Sequence, residues 1–314
     1  MRGVFRISRG SYTQINLVVV EIQEGEAVGR GECRPYPRYG ETALGVISAI
    51  KFIQPALQAG LEREDLLSAL PPGAARNAVD CALWDLAAKQ AGQPVWELAG
   101  LRRPHSLATA YTLSIDTPAK LAEEARKQAR RPLLKLKLAG EGDGERVAAV
   151  RENAPDSRLI VDANEAWSLK DYQDLAPQLA VLGVELLEQP FPANKDHWLD
   201  GLPRPVPVCA DESCHDTDSL KGLIGLYDAV NIKLDKTGGL TEALRMKTLA
   251  RQQGFKVMAG CMVATSLSMA PAFLLAQGAE YVDLDGPLLL EADRQPGMPY
   301  EGSVIHPPEA SLWG

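Results

Sequence analysis

The chain has no run of about 18 apolar residues, the length a membrane-spanning helix needs, so none of its 314 residues reads as a membrane span. Its first residues, MRGVFRISRG, lack the apolar core of a secretory leader. Cysteine is scarce and scattered: Cys33, Cys81, Cys209, Cys214 and Cys261 form no CxxC pair, which argues against a disulfide scaffold and fits a reducing compartment. The histidines His105, His197, His215 and His306 show no metal-ligand spacing, and Cys209, Cys214 and His215 lack a second ligand pair, so no zinc site is expected. Neither GxGxxG nor a P-loop occurs, and the lone Gly238-Gly239 pair reads as a loop feeding a helix. Positive charge is not in excess either: 33 Lys and Arg are interspersed with 41 Asp and Glu for a net charge of -8, which leaves no footprint for nucleic acid. The expectation is a cytoplasmic protein with no nucleic-acid or membrane partner; a homo-oligomer is compatible with it.

What the chain does have is a register. Five charged residues close short apolar runs: Lys137 in LLKLK, Asp162 in LIVDAN, Glu188 in VELLEQP, Asp211 in VPVCADES and Lys233 in AVNIK, at intervals of 25, 26, 23 and 22 residues. Such runs read as buried parallel strands, and about 25 residues is the room one strand–helix unit needs. Thr112 stands 25 residues before Lys137, and Asp285 stands two periods after Lys233. Eight strands are expected between ATAYTLS and EYVDLD, with helices over 118–130, 143–153 and 168–180 among the connections. That alternation predicts a parallel (β/α) barrel with its site at the strand C-termini. Before His105 the texture differs. A β-branched strand near residues 16–24, the turn EGEAVGRGE and helical periodicity over 42–58 and 73–91 predict a separate α+β unit. The chain therefore divides into 1–104, 105–290 and a Pro- and Gly-rich 291–314 expected to return to the first unit.

A single acid after a strand is ordinarily a helix cap. Three in register are different, because barrel strands aim alternate residues into a closed interior where carboxylates converge. Oxygen-only ligands suit Mg²⁺ or Mn²⁺. A substrate carboxylate bound there would have an acidified α-proton, since the enediolate formed on its loss is stabilised by nearby cations. Lys137 and Lys233 fall on strands four apart and would face opposite sides of that carbon, the arrangement for a two-base 1,1-proton transfer. Lys135, also inward, is expected to bind the carboxylate and to help lower the pKa of its neighbour. Asp283 and Asp285 alternate on the last strand and would together cradle a cation.

KLKL, IVDANEAW, LLEQP, CADES and NIKLDKTGG, in this order, resemble the muconate-lactonising subgroup of the enolase superfamily, over almost the whole chain. The resemblance implies a modified (β/α)7β TIM-type barrel with an N-terminal α+β capping domain. It also implies one Mg²⁺ per subunit, with Mn²⁺ as a substitute, on Asp162, Glu188 and Asp211, and Lys137 and Lys233 as the acid/base pair. The segments GRGECRPYPRYGE, GAARNAVDCALWDLAA and YVDLDGP resemble the dipeptide epimerase branch. This implies substrate contacts from Thr112, Lys135, Cys261, Val263, Asp283 and Asp285, the D-x-D pair being taken to hold the dipeptide α-ammonium. The implied reaction inverts the C-terminal residue of an L,L-dipeptide, with the Ala-Glu activity of murein-peptide recycling as first expectation.

One departure bears on the side chain recognised. In RGSYTQ, which resembles a mobile loop over the substrate, Tyr12 stands where Ala-Glu-specific relatives carry an arginine, and a phenol does not replace a guanidinium. Arg9, Arg34 or Arg38 would then supply the charge, or Tyr12 would line a pocket for another side chain. The chain also begins later than is typical of the branch, so an absent or shortened first cap strand is expected. Competing readings are an N-acylamino-acid racemase or cycloisomerase with the same bases, and a lyase forming a Schiff base on Lys233.

Overall fold

The structure is a computed structural model describing residues 1–314. Phe5–Ile7 (β1) and Gly10–Tyr12 (β2) form a short antiparallel hairpin. The β-branched run Val18–Glu24 (β3) pairs with Ala27–Cys33 (β4) from Val18↔Cys33 to Glu24↔Ala27, so the turn is Gly25-Glu26, with Gly25 at φ 59°. Helix α1 (Ala43–Gln58) starts where the Thr42 hydroxyl accepts from the Gly45 N–H at 3.0 Å. It is followed by α2 (Arg63–Ala69), α3 (Ala74–Ala91) and α4 (Val95–Leu98). Helix α3 lies so close on β4 that a Cβ on Gly29 would sit 2.1 Å from the Ala82 carbonyl oxygen, and one on Gly31 2.0 Å from that of Ala78. The GxG of β4 is therefore a packing device.

The strand–helix alternation follows: β5 (Leu107–Ala108), β6 (Tyr111–Leu113), α5 (Pro118–Gln128), β7 (Leu133–Lys137), α6 (Asp143–Asn153), β8 (Arg158–Asp162), α7 (Leu169–Val181), β9 (Val184–Glu188), β10 (Val208–Ala210), β11 (Ala229–Ile232), α8 (Leu234–Thr237), α9 (Leu240–Gln252), β12 (Lys256–Gly260), α10 (Ser266–Ala276) and β13 (Tyr281–Asp283). Strands β6 to β13 form one eight-stranded sheet in chain order, every pair parallel. The Ala110 N–H donates to the Val282 carbonyl at 2.8 Å and brings the first strand to the last. The expected alternation thins after β9 and β10, where 3-10 turns over Ala193–Leu199 and Asp218–Leu223 replace full helices. Lys233 leaves the sheet to start α8, and Asp285 precedes the 3-10 turn Gly286–Leu289, so those two strands stop short of the charges that mark them.

One inward residue from each barrel strand forms an apolar floor: Ala110, Leu133, Ile160, Leu186, Cys209, Ala229, Met258 and Tyr281. Side chains on a strand return to the same face every second residue. Two positions above the floor lie Thr112, Lys135, Asp162, Glu188, Asp211, Asn231, Gly260 and Asp283. The floor thus fixes where the polar residues emerge. Below it the tail crosses the barrel's underside, with β14 (Tyr300–Glu301) and β15 (Val304–Ile305) joined to β5. The tail ends on α3, where Trp313 Nε1 donates to the Cys81 carbonyl at 3.0 Å and the Gly314 N–H to Asp85 Oδ1 at 2.8 Å. Gly238 and Gly239 also serve α3: a Cβ on Gly239 would lie 2.4 Å from Asp80 Oδ2, and that carboxylate caps α9 by accepting from the Thr241 N–H at 3.0 Å.

Gly31→Ala forces a methyl group into a backbone carbonyl and is expected to cost about 3 kcal/mol or more. Gly222, with open space around its Cα, serves as the control, and Gly222→Ala should stay within about 0.5 kcal/mol of the parent. Urea titrations of both variants check this; equal midpoints would contradict the contact.

Candidate active site

Asp162, Glu188 and Asp211 end or follow the adjacent strands β8, β9 and β10, all three are buried, and their oxygens lie within 4.8 Å of one another. The loops that carry them are held in place. Gln189, at φ 34°, accepts through Oε1 from the backbone N–H groups of Asp211 (2.9 Å) and Ser213 (3.2 Å) while its Nε2 donates to Tyr227 Oη (2.9 Å). Asn231 Nδ2 donates to Glu188 Oε1 at 2.8 Å. Gly260 makes that possible, since a Cβ there would fall 2.4 Å from Asn231 Oδ1.

Four ammonium groups border these acids. Lys137 Nζ donates to Asp162 Oδ2 at 2.5 Å, and Lys233 Nζ to Asp211 Oδ2 at 2.6 Å. Lys236, three residues on, donates to Asp211 Oδ1 and to its carbonyl, both at 2.6 Å. Lys135 Nζ donates to Asp283 Oδ2 at 2.8 Å and lies 3.2 Å from Asp162 Oδ2; it is 2.6 Å from Glu188 Oε2, an ion pair outside hydrogen-bond angles. Burial alone would raise Asp162, yet Lys137 and Lys135 outweigh it and hold it below the usual carboxylate range. Asp211 is held low against burial by Lys233 and Lys236. Glu188 goes the other way, pushed up to about 7 by burial and by the neighbouring Asp162 carboxylate. The lysines therefore do not stabilise all three negative charges together, and a cation shared by the three would. Oxygen-only donors of this kind fit Mg²⁺ or Mn²⁺.

The same carboxylates act on the lysines. Burial favours a lowered pKa for Lys233, but Asp211 and Glu188 outweigh it and hold the ammonium above its ordinary range. Lys135 is likewise held high, by Asp283, Glu188 and Asp162 against its burial. Around Lys233, attraction to the nearby acids thus dominates over repulsion from Lys135.

Lys137 and Lys233 come from β7 and from the end of β11, which lie on opposite sides of the eight-stranded sheet. They line one narrow cavity with Asp211, Cys261 and Val263, roofed by Tyr12, Arg34, Tyr36 and Tyr39. Asp283 and Asp285 sit beside it on the Lys135 flank. Asp285 Oδ2 accepts from the Thr112 N–H at 2.6 Å, whereas Asp283 Oδ1 is buried without a donor. Burial and the Asp283 carboxylate push Asp285 up to about 7. Arg38 does not face the cavity: its Nε and Nη2 donate to Glu165 at 2.8 and 2.7 Å. Arg9 is held by Glu212 (2.7 Å) and Glu165 (3.2 Å) and fastens the β1–β2 hairpin over the barrel, assisted by Ser8 Oγ, which donates to the Asn164 carbonyl at 2.9 Å. A larger cavity of about 370 Å³, between α5 and residues 1–5, opens outside the barrel and contains none of the carboxylate triad.

Sequence reasoning passed over Asn231, Gly260, Lys236 and Glu212. Asn231 and Gly260 carry no charge to flag them, but counting back two from Lys233 would have found Asn231. Glu212 follows Asp211 in a turn and Lys236 lies in the short helix α8, where no strand periodicity applies.

Residues 118–311 match the family described as enolase C-terminal domain-like, and residues 1–100 match the mandelate racemase/muconate lactonizing enzyme N-terminal domain. The chain is 48% identical over 304 residues to an L-Ala-D/L-Glu epimerase of Escherichia coli K12, covering 96% of this chain and 95% of that one. It is 45% identical over 300 residues to an N-acetyl-D-glutamate racemase of a Pseudoalteromonas species, covering 95% of each. A crystal structure of an enolase family member from Agrobacterium tumefaciens, described as homologous to dipeptide epimerases and holding sodium and L-Ala-L-Glu, superposes with a TM-score of 0.98 at 50% identity, over 99% of this chain and 96% of that one.

The buried acids set a pH dependence. Glu188, Asp235 and Asp285, each pushed up to about 7, bind more protons folded than unfolded. Their contribution to stability is complete below the unfolded carboxylate range and is lost as pH rises to about 7. Asp162 and Asp211 are held low, so their effect falls at more acid pH. In EDTA, urea titrations should show stability falling by at least about 1 kcal/mol between pH 4.5 and 7.5. MgCl₂ should flatten that decline by stabilising ionised Glu188. A steady rise across the window in EDTA would contradict the arrangement.

Proposed function

We propose, for a chain that belongs to the mandelate racemase/muconate lactonizing enzyme family of the enolase superfamily, the reaction of a Mg²⁺-dependent dipeptide epimerase acting on the C-terminal residue of an L,L-dipeptide. The observation that carries this reading is the pair Lys137 and Lys233, drawn from opposite strands into one cavity beside three buried carboxylates. Bound on Asp162, Glu188 and Asp211, the metal would polarise the substrate carboxylate and acidify its α-proton. Lys135 stands beside that position to hold a carboxylate oxygen. Lys137 and Lys233 then act in turn, one taking the α-proton from one face and the other returning a proton to the opposite face. Each must be neutral when it serves as base, and their ion pairs with Asp162 and Asp211 are what competes with this. On this reading Asp283 and Asp285 receive the substrate α-ammonium; the unpartnered Oδ1 of Asp283 supports it.

Ala-Glu is our first choice of substrate, supplied by breakdown of cell-wall peptides in the reducing setting that five free cysteines suit. No helix is long and apolar enough to cross a membrane. A second reading, racemisation of N-acylamino acids, is favoured by one contact: Lys135 already neutralises Asp283 Oδ2, which lessens the need for a substrate ammonium. Likeness to the Pseudoalteromonas racemase points the same way.

Incubation in D₂O with Mg²⁺ and a dipeptide panel, read by mass spectrometry, should show uptake of one deuteron by true substrates. No uptake by any dipeptide would sink the epimerase reading, and uptake confined to N-acetylated amino acids would favour the second. Lys137→Ala and Lys233→Ala should each lower epimerisation by about 10²–10⁴-fold. One variant should still exchange the α-proton of a single enantiomer, and unimpaired epimerisation in both would remove the lysines from the mechanism.

A further inference from the structure

Arg34 directly follows the last residue of β4 and is 7% exposed, yet no carboxylate lies within ion-pair distance of its guanidinium. Its side chain makes a single long hydrogen bond, from Nη1 to the Val263 carbonyl at 3.5 Å. Two rings flank it, with Cζ 5.5 Å from the centroid of Tyr12 and 5.6 Å from that of Tyr36. The other guanidinium groups that are buried or near the cavity are satisfied. Arg76 donates to the carbonyls of Leu67, Leu70, Thr237 and Gly238 at 2.6–3.2 Å, while Arg9 and Arg38 are neutralised by Glu212 and Glu165. A guanidinium lining a narrow cavity with no counter-charge and most of its donors unengaged favours an anionic partner. Its planar fork matches a carboxylate, and stacking between phenols leaves the fork's edge open.

The position of Arg34 is tied to the chemistry. Its backbone N–H donates to Asp235 Oδ1 at 3.1 Å, and Asp235, also bonded by Asn77 Nδ2 at 2.8 Å, lies two residues beyond Lys233. The backbone of Arg34 is thus anchored to the segment that delivers one lysine, and its side chain lines the cavity shared by both. A substituent on a carbon held between the lysines is within the space Arg34 borders.

We propose that Arg34 is the specificity-determining residue, pairing with a side-chain carboxylate on the residue whose α-proton is exchanged. The preferred substrates carry glutamate there, and Tyr12 and Tyr36 orient the guanidinium. This rests on the proton-transfer reading above and deepens it by naming the residue that recognises the side chain.

The test compares L-Ala-L-Glu with its neutral isostere L-Ala-L-Gln. In Mg²⁺ the parent enzyme should favour Glu in kcat/KM by at least about 100-fold, because an open cationic fork rejects a ligand that leaves it unpaired. Arg34→Met should bring the ratio below about tenfold through loss on L-Ala-L-Glu, with circular dichroism reporting an intact fold. Should Arg34→Met not fold, Arg34→Lys keeps the charge and loses the fork, and the Glu/Gln ratio should drop at least tenfold. A ratio near one in the parent, or unchanged in the folded variant, overturns the assignment. Calorimetric binding in Mg²⁺ separates this from the reaction itself, using L-Ala-L-Glu against L-Ala-L-Gln and N-acetyl-L-glutamate against N-acetyl-L-glutamine. If no dipeptide exchanges, the epimerase reading fails alone, provided the acidic member of a pair binds more tightly to the parent and equally to Arg34→Met. Equal binding within both pairs by the parent overturns Arg34 as well.

Discussion

Lys135 has an ammonium group sealed inside a barrel, and it persists there because Asp162, Glu188 and Asp283 surround it. Those acids are in turn tolerable only because cations border them. Neither sign could be removed singly: loss of one partner from a buried charged cluster commonly costs about 3–5 kcal/mol through the charge left behind. The site is therefore one electrostatic unit spread over β7, β8, β9, β10, β11 and β13. Glu188 is the member least well served, and that imbalance is where a divalent cation has most to offer.

The unit is assembled by a simple geometric fact, the two-residue repeat of a strand. From the apolar floor seven strands climb two residues to a polar side chain and the eighth to Gly260, and Lys137, Asn164, Lys233 and Asp285 stand two residues further on. Where charges terminate apolar runs, the pattern can be read directly from the chain, and Lys137, Asp162, Glu188, Asp211 and Lys233 all announced themselves that way. Asn231 and Gly260 occupy the same rung silently, one as a neutral donor to Glu188 and one by having no side chain. The roof was harder. Tyr12 ends the β1–β2 hairpin and Arg34 and Arg38 follow β4, and periodicity says nothing about which arginine is turned inward. Only the acid on the other side decides it: Glu165 claims Arg38, and nothing claims Arg34.

Cap and barrel are coupled through deeply buried contacts. Asp235 joins β11's extension to the backbone of Arg34, and Asp80 of α3 caps α9. Trp313 closes the tail on α3. Arg34, at the roof of the cavity, is thus referenced to the segment that carries Lys233, although the two lie far apart in sequence. The hairpin that bears Tyr12 is the exception, because ion pairs and carbonyl contacts at the rim fasten it and the core does not.

The two-residue rung also dictates how such a chain can diverge. A single residue inserted or deleted between Leu133 and Lys137 would rotate the downstream side chain from the interior to the outer face. Length variation is thereby confined to the connections, and inside the strands only substitution is open. A cap loop is under no such parity rule. Lineages built on this ladder are free to vary the loops at any length, while the inward charged residues stay locked to an even count.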